Sequence, residues 1–266
     1  MNSAPSVGAA LRGLWARDFA VLRREGVSFA LRTVMNPLLT VFVFTYVLPR
    51  TGQGFRSAAA GSFATILVPG LVAVAMVFTG VAAVALPLSV ELGATREIED
   101  RILAPVPLGT IPMARIAFGA MQAILSGALI FPIVTLLPAT PVDVHVASWP
   151  LLVLMLVLAG WTSAALGLFL GTVVKPTQIG LLFALVLAPI TFLGCVYYPW
   201  SSLHPIPWLQ VGVLANPLVY MSEGLRTALT ANVPHLPVGA SIGVLAAMGG
   251  TFTLLGVRTF ARRVID

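Results

Sequence analysis

The residues able to do chemistry are few and unevenly placed in this 266-residue chain. Four of its nine acids, Glu91, Glu97, Glu99 and Asp100, fall within residues 89–112, with Arg96 and Arg101 among them. His145, His204 and His235 stand far apart, and Cys195 is the single cysteine, so no disulfide within the chain is possible. Lys175 is the only lysine and Pro176 follows it. The P-loop pattern G-x-x-x-x-G-K-[ST], whose lysine reaches nucleotide phosphates, therefore occurs nowhere. There is no H-E-x-x-H, and Ser126-Gly127 lacks the glycine two positions before the serine that a nucleophile elbow has. What remains is charge pairing and docking. Glu97 and Arg101, four residues apart, support a short helix on which Ile98 and Ile102 form an apolar ridge inside a charged rim. The helix must end before Pro105 and Pro107. It suits a groove on another protein; an ordinary solvated loop is the alternative.

The elements that position these residues follow from composition. Hydrophobic residues make up 58% and charged residues 9% of the chain, against about 45–50% and about 25% in a soluble domain. So few charges cannot solvate a globule of this size. A soluble enzyme, a nucleic-acid-binding domain, a disordered chain and a disulfide scaffold are excluded, which leaves a polytopic membrane protein.

A membrane-spanning helix needs about 20 mostly apolar residues. Six such runs are present: 28–48, 63–88, 113–137, 149–174, 176–198 and 236–257. The expected fold is an all-α integral membrane protein with six transmembrane helices. It divides into a cytoplasmic tail (1–27), the transmembrane domain (28–257) and a cytoplasmic C-terminal tail (258–266). The tight connection at Lys175-Pro176 uses proline where a helix starts well and continues badly. With a cytoplasmic N-terminus, twelve basic residues fall inside and only Arg50, Arg56 and Arg226 outside. That asymmetry places both termini in the cytoplasm of a cell with the chain in its cytoplasmic membrane. It also reads the net charge of +6 as a topology signal and not as a nucleic-acid footprint.

Two further segments carry pattern. Leu11, Leu14, Trp15, Phe19, Val21 and Leu22 share one helical face, with Arg12, Arg17, Arg23 and Arg24 mostly on the other. This predicts an interfacial helix contacting membrane lipid and a cytoplasmic partner; a basic tail with some helix is the plainer reading. Residues 199–235 are too apolar for a free loop and are broken by Pro199, Pro205, Pro207, Pro217 and Pro234. Irregular backbone at membrane depth must be buried in protein or face a cavity. Two short outer helices that dip in and return are expected, the second near 218–231 with Glu223 and Arg226 three residues apart. Trp200 and Trp208 read most simply as interfacial anchors, with gating of a substrate as the alternative. Small residues at four-residue spacing (Gly119, Ala123 and Gly127; Ala159, Ser163, Gly167 and Gly171; Gly239 and Gly243) mark helix-packing faces, within or between chains. The spans hold essentially no ionisable side chain, which argues against a proton-driven carrier.

Two stretches taken together resemble the membrane subunits of type-2 ATP-binding-cassette exporters. These are the permeases of daunorubicin-resistance-type, polysaccharide and teichoic-acid, and nodulation-factor exporters. One is Glu91–Pro107, acids followed by a short apolar stretch and a proline pair. The other is Phe192–Arg226, with Tyr198-Pro199, Trp208-Leu209-Gln210, Asn216-Pro217-Leu218-Val219-Tyr220 and Glu223-Gly224-Leu225-Arg226. The resemblance implies roles for them. Glu91, Glu97, Ile98, Glu99, Asp100, Arg101 and Ile102 would form the coupling helix that seats in an ATPase subunit. Leu11, Trp15, Phe19 and Leu22 would belong to the connecting helix. Trp200, Trp208, Asn216, Tyr220, Glu223 and Arg226 would cap or gate the path. It also implies a separate ATPase partner that binds ATP and Mg, a second permease subunit, and no cofactor or catalytic residue in this chain. The function expected is export of an amphipathic or lipid-like substrate. A non-catalytic membrane scaffold and a secondary carrier are the alternatives.

Overall fold

The computed structural model describes residues 63–91, 109–136, 146–230 and 233–265, with positions 35, 39, 42–47 and 50. The expected interfacial-helix residues Leu11, Trp15, Phe19 and Leu22, and the coupling residues Glu97 to Ile102, lie outside the described residues, as does most of the first expected span. Among the described residues there is no β-strand.

Four long helices form the body: α1 (Phe63–Val90), α2 (Thr110–Leu136), α3 (Trp149–Val173) and α7 (Val238–Ile265). Each is long and apolar enough to cross a membrane. They correspond to the second, third, fourth and sixth expected spans. The fifth differs. Residues 176–192 begin with a 3₁₀ turn, continue as the helix α4 (Ile179–Phe192), and carry a π-helical stretch at Phe183–Leu187. Pro189 has no N–H to offer the Leu185 carbonyl, and the widened turn sits directly before it. The helix is therefore shorter and less regular than the 23-residue run suggested by hydropathy. After it come a 3₁₀ turn (Trp200–Leu203), the short helix α5 (Pro207–Gly212) and α6 (Pro217–Leu229).

α2 runs opposite to α1, because Gly119 faces Val84 while Gly127 faces Met76. α3 runs parallel to α1: Ser163 lies at Gly80, Gly167 at Val81 and Gly171 at Ala85. A Cβ on Gly167 would stand 2.8 Å from the Val81 Cα, so only glycine permits this approach of two backbones. The small-residue sets of the third and fourth expected spans thus pack within the chain. Gly239 and Gly243 of α7 instead meet nothing within 4 Å among the described residues. Two buried hydroxyls in this core return to backbone carbonyls, Ser126 to Ala75 (3.0 Å) and Ser163 to Ala159 (2.7 Å). Left unpaired among apolar side chains, each would be costly.

α7 lies along α3 on the outside of the bundle. Trp161 donates to the Thr253 hydroxyl (3.2 Å), and Thr162 to the Leu245 carbonyl (3.3 Å). At its far end Arg263 donates to the carbonyls of Thr172 (2.6 Å) and Val174 (3.4 Å). These are the unpaired carbonyls of the last turn of α3 and its C-cap, where a cation is favoured.

Candidate functional site

α6 is short, yet nearly all of its residues are buried. It packs on α1, α3 and α7, and so occupies the interior of one end of the bundle. Asn216 starts it: its Oδ1 accepts from the Leu218 N–H (2.9 Å), with Pro217 in the first turn. The Asn216 amide also donates to the Ile190 carbonyl (2.7 Å), tying the end of α4 to the start of α6. Tyr220 donates back to the Leu214 carbonyl (2.9 Å).

Glu223 and Arg226 form an ion pair across one turn of α6, and neither has any exposed surface. A buried pair offsets its desolvation best when its remaining atoms are also bonded, and of this pair's atoms only Arg226 Nε lacks a partner among the described residues. Glu223 Oε1 accepts from the Trp200 N–H (2.9 Å), and Oε2 from the Leu236 N–H (3.0 Å). Arg226 donates to the Cys195 carbonyl (3.0 Å) and toward the Ile66 carbonyl of α1 (3.5 Å). One side-chain pair therefore fastens α6 to the first turn of α1, the turn after α4, the 3₁₀ turn at Trp200 and the start of α7. Cys195 reaches this position in the left-handed backbone region, at φ 52°. Gly70 lets α1 press against it: a Cβ there would lie 2.8 Å from the Val196 Cα.

The six expected cap residues are thus not alike. Trp200, Glu223 and Arg226 are joined in one network, with Trp200 Nε1 also donating to the Gln210 carbonyl (3.1 Å), while Asn216 and Tyr220 lie at the N-terminal part of the same helix and bond to Ile190 and Leu214 instead. Trp208 stands apart, exposed on α5. Sequence reasoning put Glu223 and Arg226 on a short outer helix that dips in and returns, outside the spans; the structure encloses both inside the helical body. It also did not find Ile66, the Cys195 carbonyl or Leu236, because these contribute backbone atoms that no residue type reveals.

A second ion pair lies at the opposite end. Glu91, just past α1, pairs with Arg115 in the second turn of α2, and both side chains are largely buried. It ties the end of α1 to the start of α2, and the acids Glu97, Glu99 and Asp100 fall in the sequence between them, outside the described residues. The signal was two opposite charges at the ends of helices joined by one loop.

Both pairs lie within residues 9–230, which match the model of the ABC-2 type transporter family. The chain belongs to that family. It is 29% identical over 250 residues, 92% of each chain, to the Escherichia coli K12 protein named inner membrane transport permease YadH. A Shigella flexneri protein of the same name matches to the same extent. The family match ends one residue past Leu229, the last of α6, so Leu236 and all of α7 lie beyond it. This ABC-2 family member is a multi-pass membrane protein, and four of its helices are long and apolar enough to span.

Proposed function

We propose that this chain is the permease subunit of an ATP-driven exporter in the cytoplasmic membrane, with both termini in the cytoplasm. The observation that carries the reading is the family match over residues 9–230, on a chain whose only lysine precedes proline and so cannot complete a P-loop. ATP and Mg are bound by a separate ATPase subunit, and two permease subunits enclose the path. Residues 97–102 form the coupling helix on the ATPase, and the network around Glu223 and Arg226 caps the outer end. An amphipathic or lipid-like substrate fits best. Among the described residues, the long helices carry ionisable side chains only near their ends, at Arg115, Arg258, Arg262 and Arg263, and a charged substrate at their centres would have no partner.

The test is purification from native membranes in mild detergent, followed by reconstitution. A stoichiometric P-loop subunit should co-purify, and its ATPase activity should rise with an amphipathic substrate. The triple variant Glu97→Gln, Glu99→Gln, Asp100→Asn should insert normally and keep basal hydrolysis while losing that stimulation. A chain that purifies without any ATPase, or a triple variant that exports normally, overturns the reading.

A further inference from the structure

The end of α7 carries cations that the fold does not use. Arg258 and Arg262 are exposed, one turn apart on one face. Lys175 is exposed at the same end of the bundle: Arg263, the neighbour of Arg262, donates to the carbonyl of Val174, the neighbour of Lys175. Arg258, Arg262 and Lys175 have no ion-pair partner among the described residues. Immediately before Arg258 on the same face stand Leu254 and Leu255, also exposed. Glu91, the described acid at this end, is engaged by Arg115.

The depth of these charges follows from helix geometry. Residues 238–257 of α7 rise roughly 30 Å, the thickness of the hydrocarbon core. Arg258 then falls at its edge, and Arg262 about 6 Å beyond, within the headgroup layer. Apolar side chains below and paired guanidinium groups above match the acyl chains and phosphate of one lipid. A second copy of this chain laid against the same face would bring like charges together.

We propose that Arg258, Arg262 and Lys175, with Leu254 and Leu255 beneath them, form a binding site for an anionic phospholipid. Arginine suits the phosphate because it offers a planar fork of donors, and basic clusters at helix ends hold anionic headgroups. Arg263 is the internal control. It is spent on the carbonyls of α3 and takes no part in the site, although it carries the same charge one residue away.

The experiment is native mass spectrometry of the full chain, titrated with dioleoyl phosphatidylglycerol and, separately, dioleoyl phosphatidylcholine. Wild type should retain the glycerol lipid at least fivefold better. The triple variant Arg258→Gln, Arg262→Gln, Lys175→Gln should bring that ratio to about one, and Arg263→Gln should leave it unchanged. If loss of charge impairs insertion of the triple variant, the single variants Arg258→Gln and Arg262→Gln should each lower the ratio at least twofold. Equal retention of the two lipids by wild type overturns the site. So does an Arg263→Gln variant that falls as far as Arg258→Gln, since the effect is then net charge alone. If the single variants keep the lipid ratio but release a co-purified ATPase, the face belongs to a protein partner and the proposal fails.

Discussion

The two ion pairs occupy opposite ends of the bundle and hold different things. Glu223 and Arg226 sit in the same helix, three residues apart, so their own bond fixes no tertiary relation. What they fix comes from their second contacts, to Ile66, Cys195, Trp200 and Leu236, each in a different segment. Glu91 and Arg115 are far apart in sequence, and their bond itself joins two helices. The first pair is sealed from solvent; the second keeps slight exposure. The sealed pair is rigid because every alternative leaves a buried charge unpaired. The other can open at smaller cost, as suits the base of a loop proposed to move with an ATPase.

This contrast predicts a steep order of sensitivity. Arg226→Met strands Glu223 without its cation and should destabilise the chain by about 3–5 kcal/mol, the range found when one partner of a buried pair is removed. The double variant Arg226→Met, Glu223→Gln keeps an oxygen to accept from Trp200 or Leu236 and should recover a large part of that loss. Thermal unfolding in detergent, followed by size-exclusion recovery, measures both. A single variant as stable as wild type would break the comparison at its strongest point.

Next in size is the approach that closes this network. Gly70→Ala forces a methyl against the backbone of Val196, which has nowhere to go, and should cost about 1–3 kcal/mol. Gly224→Ala is the matched control. Its methyl would meet the end of the flexible Met155 side chain, which can turn aside. The same unfolding measurement should show a clear drop for Gly70→Ala and a small one for Gly224→Ala.

Arg115→Gln tests the other end. The expected cost is about 1–2 kcal/mol, between the values for exposed and for sealed pairs. Its larger effect should be functional, read as weaker substrate stimulation of ATPase activity in the reconstituted complex at near-normal expression. Equal losses of stability for Arg115→Gln and Arg226→Met would erase the distinction between a lock and a hinge.

Much of the architecture was legible because hydropathy over a membrane span is a strong, local signal. α1, α2, α3 and α7 begin and end close to the apolar runs that announced them, except that α7 continues past Val257 through its arginines to Ile265. The helix α6 was also legible, as a short helix near 218–231 with Glu223 and Arg226 three residues apart. The irregularity of α4 was not, because Pro189 interrupts hydrogen bonding without lowering hydropathy. The meaning of Glu223 and Arg226 was hidden for a different reason. Read by local sequence they sit on a short outer helix between prolines; only the packing of α6 on three helices encloses them. The partners that make burial affordable are main-chain N–H and C=O groups, which every residue has. The packing partners of glycines were equally closed to sequence: Gly167 and Gly243 sit in similar small-residue runs, yet among the described residues only the first has a helix against it.

That last pair provides the smallest expected effect. Gly167→Ala pushes a methyl into the Val81 backbone and belongs with the destabilising variants. Gly243→Ala places its methyl on α7 where no described residue comes within 4 Å. Helix propensity then acts alone, and replacing a mid-helix glycine by alanine should stabilise slightly, by at most about 1 kcal/mol. Measured on the isolated chain in detergent, the unfolding midpoint should stay level or rise. Repeating the measurement on the assembled transporter sharpens the comparison. A fall that occurs only in the assembly would show that a second subunit or the partner lies within a methyl's reach of Gly243. A fall in both settings would mean that the open face of α7 is already covered within a single chain, contrary to the packing described for it.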